Sequence, residues 1–176
     1  IKLLILKLFI KNLKIIVKKK IAVFVDFDGT IVLKDIGDQI FKDFGEFEPY
    51  HTELVEGRMG IADYWKAVVS SLDKNLTFEK IEEYALSFDI DPYFKKFAEF
   101  CRKRDLPLAV VSDGYDAYIK PIIDSLEIPD IKVRCNKLFK TDYGFIPEFP
   151  GASESCDCMT ASCKRNAIIN SIDSGT

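Results

Sequence analysis

Apolar residues along this chain fall into two periods. At positions 21–25 they run together as Ile21-Ala22-Val23-Phe24-Val25, β-branched and aromatic and bounded by Gly29, which predicts a short buried strand. Leu106-Pro107-Leu108-Ala109-Val110-Val111 predicts a second strand, and 131–135 a third. Between the first two, the spacing turns helical: Ile36, Ile40, Phe41 and Phe44, then Ile61, Tyr64, Trp65 and Val68, then Phe78, Ile81, Tyr84 and Ala85. Asp91-Pro92-Tyr93 starts a helix running to about residue 104, another spans about 115–126, and a last one opens at Cys163-Lys164-Arg165. Buried strands alternating with helices of this length specify an α/β fold with a parallel sheet.

Polar residues punctuate these elements at the ends of strands, where open α/β sheets bind ligands. Asp26-Phe27-Asp28-Gly29-Thr30 follows the first strand directly. Successive strand side chains alternate in direction, so Asp26 and Asp28 share a face while Phe27 turns into the core. One such carboxylate can attack while the other, in a different environment, gives and takes a proton, and the pair invites a hard cation such as Mg²⁺. The plain alternative is an acidic turn after a core strand. The second strand ends in Ser112-Asp113-Gly114. There a hydroxyl and approachable N–H groups suit phosphate oxygens, although Ser112 or Asp113 would also cap the following helix. Lys164, at a helix start, can offset charge on a transferring phosphoryl group.

Composition adds little beyond excluding extremes. With 176 residues, 48% hydrophobic, 30% charged and a net charge of −3, the chain can bury a core and shows no basic-aromatic stripe for nucleic acid. Residues 1–19 are almost all Ile, Leu, Phe, Val and Lys, with uninterrupted apolar runs far shorter than the ~20 residues of a membrane span. They read as an upstream extension or artefactual translation, ahead of a surface helix or an export signal.

Together, the Asp26–Thr30 segment, the Ser112–Gly114 strand end and Lys164 resemble motifs one, two and three of the haloacid dehalogenase-like (HAD) phosphatase superfamily. The resemblance implies a Rossmannoid parallel sheet, with Asp26 the nucleophile that becomes an aspartyl-phosphate and Asp28 the general acid/base. It further implies that Ser112, Asp113, Gly114 and Lys164 bind phosphate and that Asp26 and Asp28 hold Mg²⁺. The helices of residues 35–88 resemble a type-one cap inserted after strand one into a core of 20–34 and 89–176. Asp35 then matches an acid that touches substrate in phosphoserine phosphatase-like members, and Arg58 is a candidate for reaching an anionic substrate group. The motif-four acids that follow the lysine in this family are not found by Thr176, so the chain reads as C-terminally truncated, lacking the last strands.

The cysteines narrow the likeness. Cys156, Cys158 and Cys163 precede Lys164 in a C-x-C-x₄-C cluster, and this approach, the Val111-Ser112-Asp113-Gly114 strand end and the early cap together resemble the 2,3-diketo-5-methylthio-1-phosphopentane phosphatase-like branch. The cluster, with Cys135 as fourth ligand, is a candidate zinc site, although reduced cytoplasmic thiols are the default reading. The expected function is Mg²⁺-dependent hydrolysis of a small phosphorylated metabolite, without nucleic-acid or membrane partners. A non-catalytic phosphate-binding module and a phosphotransferase are the alternatives.

Overall fold

A computed structural model describes residues 21–152 and 162–173. The chain is α/β. Strand β1 (Val23–Val25) is followed by helices α1 (Ile36–Phe44), α2 (Tyr50–Val55), α3 (Ile61–Ser70) and α4 (Phe78–Ala85). Helix α5 (Phe94–Lys103) leads to β2 (Leu108–Tyr115), α6 (Asp116–Ser125), β3 (Lys132–Thr141), β4 (Gly144–Glu148) and α7 (Lys164–Asp173). The basic-apolar segment 1–19 lies outside the described residues.

The sheet order is β1-β2-β3-β4, parallel from β1 to β3 and closed by an antiparallel β3–β4 hairpin. Val23, Phe24 and Val25 pair with Leu108, Ala109 and Val110. That register brings the segment after Val25 alongside the end of β2. Strand β2 is apolar without alternation because both of its faces are covered; Leu108, Ala109, Val110, Val111 and Ser112 are all buried. Phe27 is wholly buried, as a period of two requires once Asp26 and Asp28 face outward.

Two elements differ from the sequence expectation. The third strand continues well past residue 135, because Asn136 and Leu138 are also buried and the hairpin at Asp142-Tyr143-Gly144 gives it a partner. Helix α2 has no buried residue, so it leaves no apolar period to read.

The first four helices, α1 to α4, are joined to the rest of the chain by two connections that meet. Leu33 N–H donates to the Asp89 carbonyl at 3.1 Å and Asp91 N–H to the Ile31 carbonyl at 2.8 Å, so the outgoing and returning strands clasp each other. Three of the helices bury one stripe each: Ile36, Ile40 and Phe41 from α1, Tyr64, Val68 and Val69 from α3, Ile81 and Ala85 from α4. These join Phe27, Tyr115 and the α6 residues Tyr118, Ile119 and Ile122 in one core. Helix α4 starts at Thr77, whose side chain accepts the Lys80 N–H at 3.2 Å. Thr77→Ala is expected to cost about 1 kcal/mol of stability, seen as a lower urea midpoint with an unchanged slope.

Candidate active site

Beyond Val25 the chain must turn sharply, and the Phe27 carbonyl organises the turn by accepting the N–H groups of Thr30, Ile31 and Val32 at 3.1, 2.9 and 3.2 Å. Gly29 sits at φ +69°, a conformation that costs an L side chain free energy. The result leaves Asp26 exposed at the strand end and Asp28 half-buried against the start of α1.

Asp26, Asp28, Asp35, Ser112, Asp113, Gly114 and Lys164 line one cavity of about 220 Å³, joined by Trp65 and Tyr118. Lys164 Nζ lies 2.8 Å from Asp26 Oδ2, while Asp26 Oδ1 accepts the Phe27 N–H at 2.8 Å. One Asp26 oxygen is thereby fixed by the backbone and the other by a cation from an element 138 positions away.

Asp28 is held differently. Its Oδ1 accepts the Ile36 N–H of the first turn of α1 at 2.9 Å, and its Oδ2 accepts the Tyr118 hydroxyl at 3.0 Å. Burial, reinforced by the nearby charge of Asp35, pushes its carboxyl from an ordinary 3.8 up to about 7, against the lowering effect of those two hydrogen bonds. Two acids at one strand end thus occupy separate electrostatic environments.

Ser112 is buried, and its Oγ accepts the Gly114 N–H at 2.9 Å, which leaves the hydroxyl proton to donate into the cavity. That N–H therefore braces Ser112, where the sequence had suggested a direct phosphate donor. Gly114 serves another need: a Cβ here would stand 1.9 Å from the Tyr118 hydroxyl oxygen and 3.1 Å from Asp28 Oδ2. Gly114→Ala should displace Tyr118 from Asp28 and cost about 1–3 kcal/mol, measurable by denaturant unfolding. Asp113 is raised above its ordinary value by burial, offset in part by Lys164, and its Oδ1 is buried without a partner among the described residues. Its carbonyl accepts Asn136 Nδ2 at 2.6 Å, so the buried Asn136 braces the strand end from β3.

Sequence reasoning overlooked Tyr118, Trp65 and Asn136. Tyr118 lies on the apolar stripe of α6 and reads as core, yet its hydroxyl reaches an acid 90 positions earlier. Arg58 is not among the residues lining the cavity. It pairs bidentately with Glu53, at 2.7 and 2.9 Å, and also with Glu56. Of the candidate zinc ligands, Cys156 and Cys158 lie outside the described residues. The Cys135 thiol is pushed up to about 12, chiefly by burial, and Cys163 Sγ accepts the Asn166 N–H. Among the described residues no group of three or more His, Cys, Asp or Glu is placed to hold a metal.

The cavity nonetheless has a charge imbalance. Four acids, Asp26, Asp28, Asp35 and Asp113, line the cavity with one ammonium, Lys164, so added positive charge favours the entry of an anion. Carboxylate oxygens suit a hard cation such as Mg²⁺.

Known proteins resemble this chain in sequence or in fold. The chain is 27% identical over 161 residues to a 2-hydroxy-3-keto-5-methylthiopentenyl-1-phosphate phosphatase of Brevibacillus brevis, covering 90% of this chain and 72% of that protein. It is 29% identical to the protein of the same name from Geobacillus kaustophilus, over 67% of this chain and 54% of that one. A Schizosaccharomyces pombe protein, Pdp3-interacting factor 1, is 30% identical over 61% of this chain, which spans only 48% of its length. A solved phospho-aspartyl intermediate analogue of phosphoserine phosphatase superposes with a TM-score of 0.59 at 27% identity, covering 74% of this chain and 64% of that one. The model of the haloacid dehalogenase-like hydrolase family matches residues 23–171, and the chain belongs to that family.

Proposed function

We propose that the chain hydrolyses small phosphomonoesters in two steps, with Asp26 as nucleophile and Mg²⁺ as cofactor. The observation that carries this is the convergence of Asp26, Asp28, Ser112 and Lys164 on one cavity, with Lys164 Nζ 2.8 Å from Asp26 Oδ2.

Asp26 Oδ2, the oxygen not held by the Phe27 N–H, attacks phosphorus and forms the aspartyl-phosphate as the ester P–O bond breaks. Lys164 shifts from the carboxylate to the phosphoryl oxygens, and the Ser112 hydroxyl donates to another. Asp28, with its carboxyl near 7, carries the proton that the departing alkoxide takes up. It then removes a proton from the water that attacks the aspartyl-phosphate, which restores both acids and releases inorganic phosphate. Asp26 and the backbone carbonyl of Asp28 would hold Mg²⁺, which when bound would supply the positive charge that lets a phosphate dianion approach two acids.

Residues 35–88 act as a cap over a core of 20–34 and 89–176, and the paired connections at 31–33 and 89–91 form its base. A cavity of about 220 Å³ under such a cap admits metabolites and excludes phosphoproteins. The relatives named as phosphatases of a phosphorylated methylthiopentenyl compound point to the same size class. Cytoplasmic residence suits the free thiols Cys101, Cys135 and Cys163. Release of inorganic phosphate from a panel of small phosphomonoesters tests the proposal. Turnover with Mg²⁺ that stops on adding chelator supports it, and Mg²⁺-independent turnover contradicts the cofactor assignment.

A further inference from the structure

The Tyr118 hydroxyl occupies a slot between α1, β2 and α6. Its ring belongs to the stripe that α6 buries and packs on Phe27, with centroids 6.0 Å apart, while the hydroxyl emerges beside Asp28. Room for that oxygen comes from two glycines on different elements. A Cβ on Gly114, near the end of β2, would stand 1.9 Å from it, and a Cβ on Gly37, in the first turn of α1, would stand 3.1 Å from it. Glycine weakens a helix relative to alanine, so at Gly37 helix stability yields to space for the hydroxyl.

Tyr118 is only 3% exposed, and its hydroxyl donates to Asp28 Oδ2 at 3.0 Å. Asp28 Oδ1 meanwhile accepts the Ile36 N–H at 2.9 Å. Held at both oxygens by donors from different elements, the carboxyl has a fixed plane, and each oxygen keeps a further lone pair that can carry the transferable proton. Proton donation to a departing oxygen needs that aim, because it requires hydrogen-bond reach and alignment in the transition state.

We propose that Tyr118 is a positioning residue for proton delivery: its hydroxyl, seated between Gly37 and Gly114, aims the Asp28 carboxyl at the leaving-group oxygen. This rests on the phosphatase reading above and adds the group that orients its acid. As the ester P–O bond breaks, its electron pair stays with the leaving oxygen and the Asp28 proton moves to that oxygen. Tyr118 keeps its own proton throughout.

Two esters separate this role from one in packing alone. The alkoxide of butyl phosphate departs poorly without a proton, whereas p-nitrophenolate departs without one. Comparing kcat/KM confines the readout to the steps up to departure of the leaving group, ahead of the attack by water. Tyr118→Phe should lower kcat/KM roughly 30-fold for butyl phosphate and less than about 3-fold for p-nitrophenyl phosphate. Partial unfolding would scale both esters alike and cannot imitate that selectivity. Gly37→Ala sets a methyl group against the hydroxyl and should also penalise butyl phosphate selectively, yet add no further loss to Tyr118→Phe, where the methyl group has room. Equal losses for the two esters, no loss for butyl phosphate in Tyr118→Phe, or multiplied losses in the double variant would overturn the inference while leaving phosphatase activity standing. Failure of the phosphatase reading looks different, since neither ester would then be hydrolysed at a rate that depends on Asp26.

Discussion

Replacing Asp26 by Asn is expected to reduce kcat/KM for any phosphomonoester substrate by roughly 10⁴-fold or more, while the protein stays folded. The carboxylate supplies the attacking oxygen, and a neutral amide in its place is a poor nucleophile that forms no aspartyl-phosphate. The fold should tolerate the change. Asp26 is exposed, the Asn oxygen can still accept the Phe27 N–H, and the lost contact with Lys164 is a solvent-facing pair worth about 0–1 kcal/mol. Kinetics and a thermal melt on the same sample separate the two effects. An intact melt with unimpaired turnover would remove Asp26 from the chemistry.

A pH-dependent stability should appear at Asp28. Its folded carboxyl sits near 7 and its ordinary value is 3.8, so between these limits the folded state binds more protons than the unfolded one. Stability contributed by the protonated group is therefore complete below about pH 4 and is lost as pH rises through about 7. Across that interval the preference for the protonated form is worth about 4 kcal/mol. Asp28→Asn removes the charge but keeps both hydrogen bonds, since its oxygen accepts the Ile36 N–H and its amide can donate to the Tyr118 hydroxyl. In chelator, the variant should be more stable than the parent by about 2–4 kcal/mol near pH 8, and the two should converge near pH 4. Denaturant titrations across that range give the answer, and a constant difference would show that Asp28 is not buried as a charge. The same variant should lose phosphatase activity, so it trades function for stability.

Local chemistry was legible wherever period and punctuation agreed. The strand before Asp26 and the glycine turn at Gly29 follow from an apolar run ended by a residue with a special backbone role, whereas the helix after Gly114 has Tyr115 at its N-cap with no side-chain cap, so neither Ser112 nor Asp113 caps it. The expectation of a helix over 115–126 met Asp116–Ser125 in the structure, a boundary difference ordinary for fraying ends. Asp26 and Ser112 share a cavity because strand ends of a parallel sheet converge, whereas Lys164, at a helix start, was expected there from the resemblance to the family's third motif.

What stayed hidden depends on contacts between distant segments. Tyr118 occupies a stripe position that any apolar residue could fill, and only the approach of Asp28 gives its hydroxyl a purpose. Gly114 seemed suited to phosphate, but it is the Tyr118 ring against its backbone that leaves no room for a side chain. Trp65 shares its helical period with Ile61, Tyr64 and Val68, so the sequence could not show that its ring would reach the cavity. Arg58 was a candidate for reaching an anionic substrate group, with a solvated surface residue the favoured reading, and it is exposed, paired with two nearby glutamates and not among the residues lining the cavity.

The claim that Asp26 carries the phosphoryl group is tested most directly by acid-quenching the protein during turnover and mapping the phosphoryl adduct by mass spectrometry. The expected result is an acyl-phosphate on the peptide containing Asp26, absent from Asp26→Asn. Turnover with the adduct confined to another residue would contradict it.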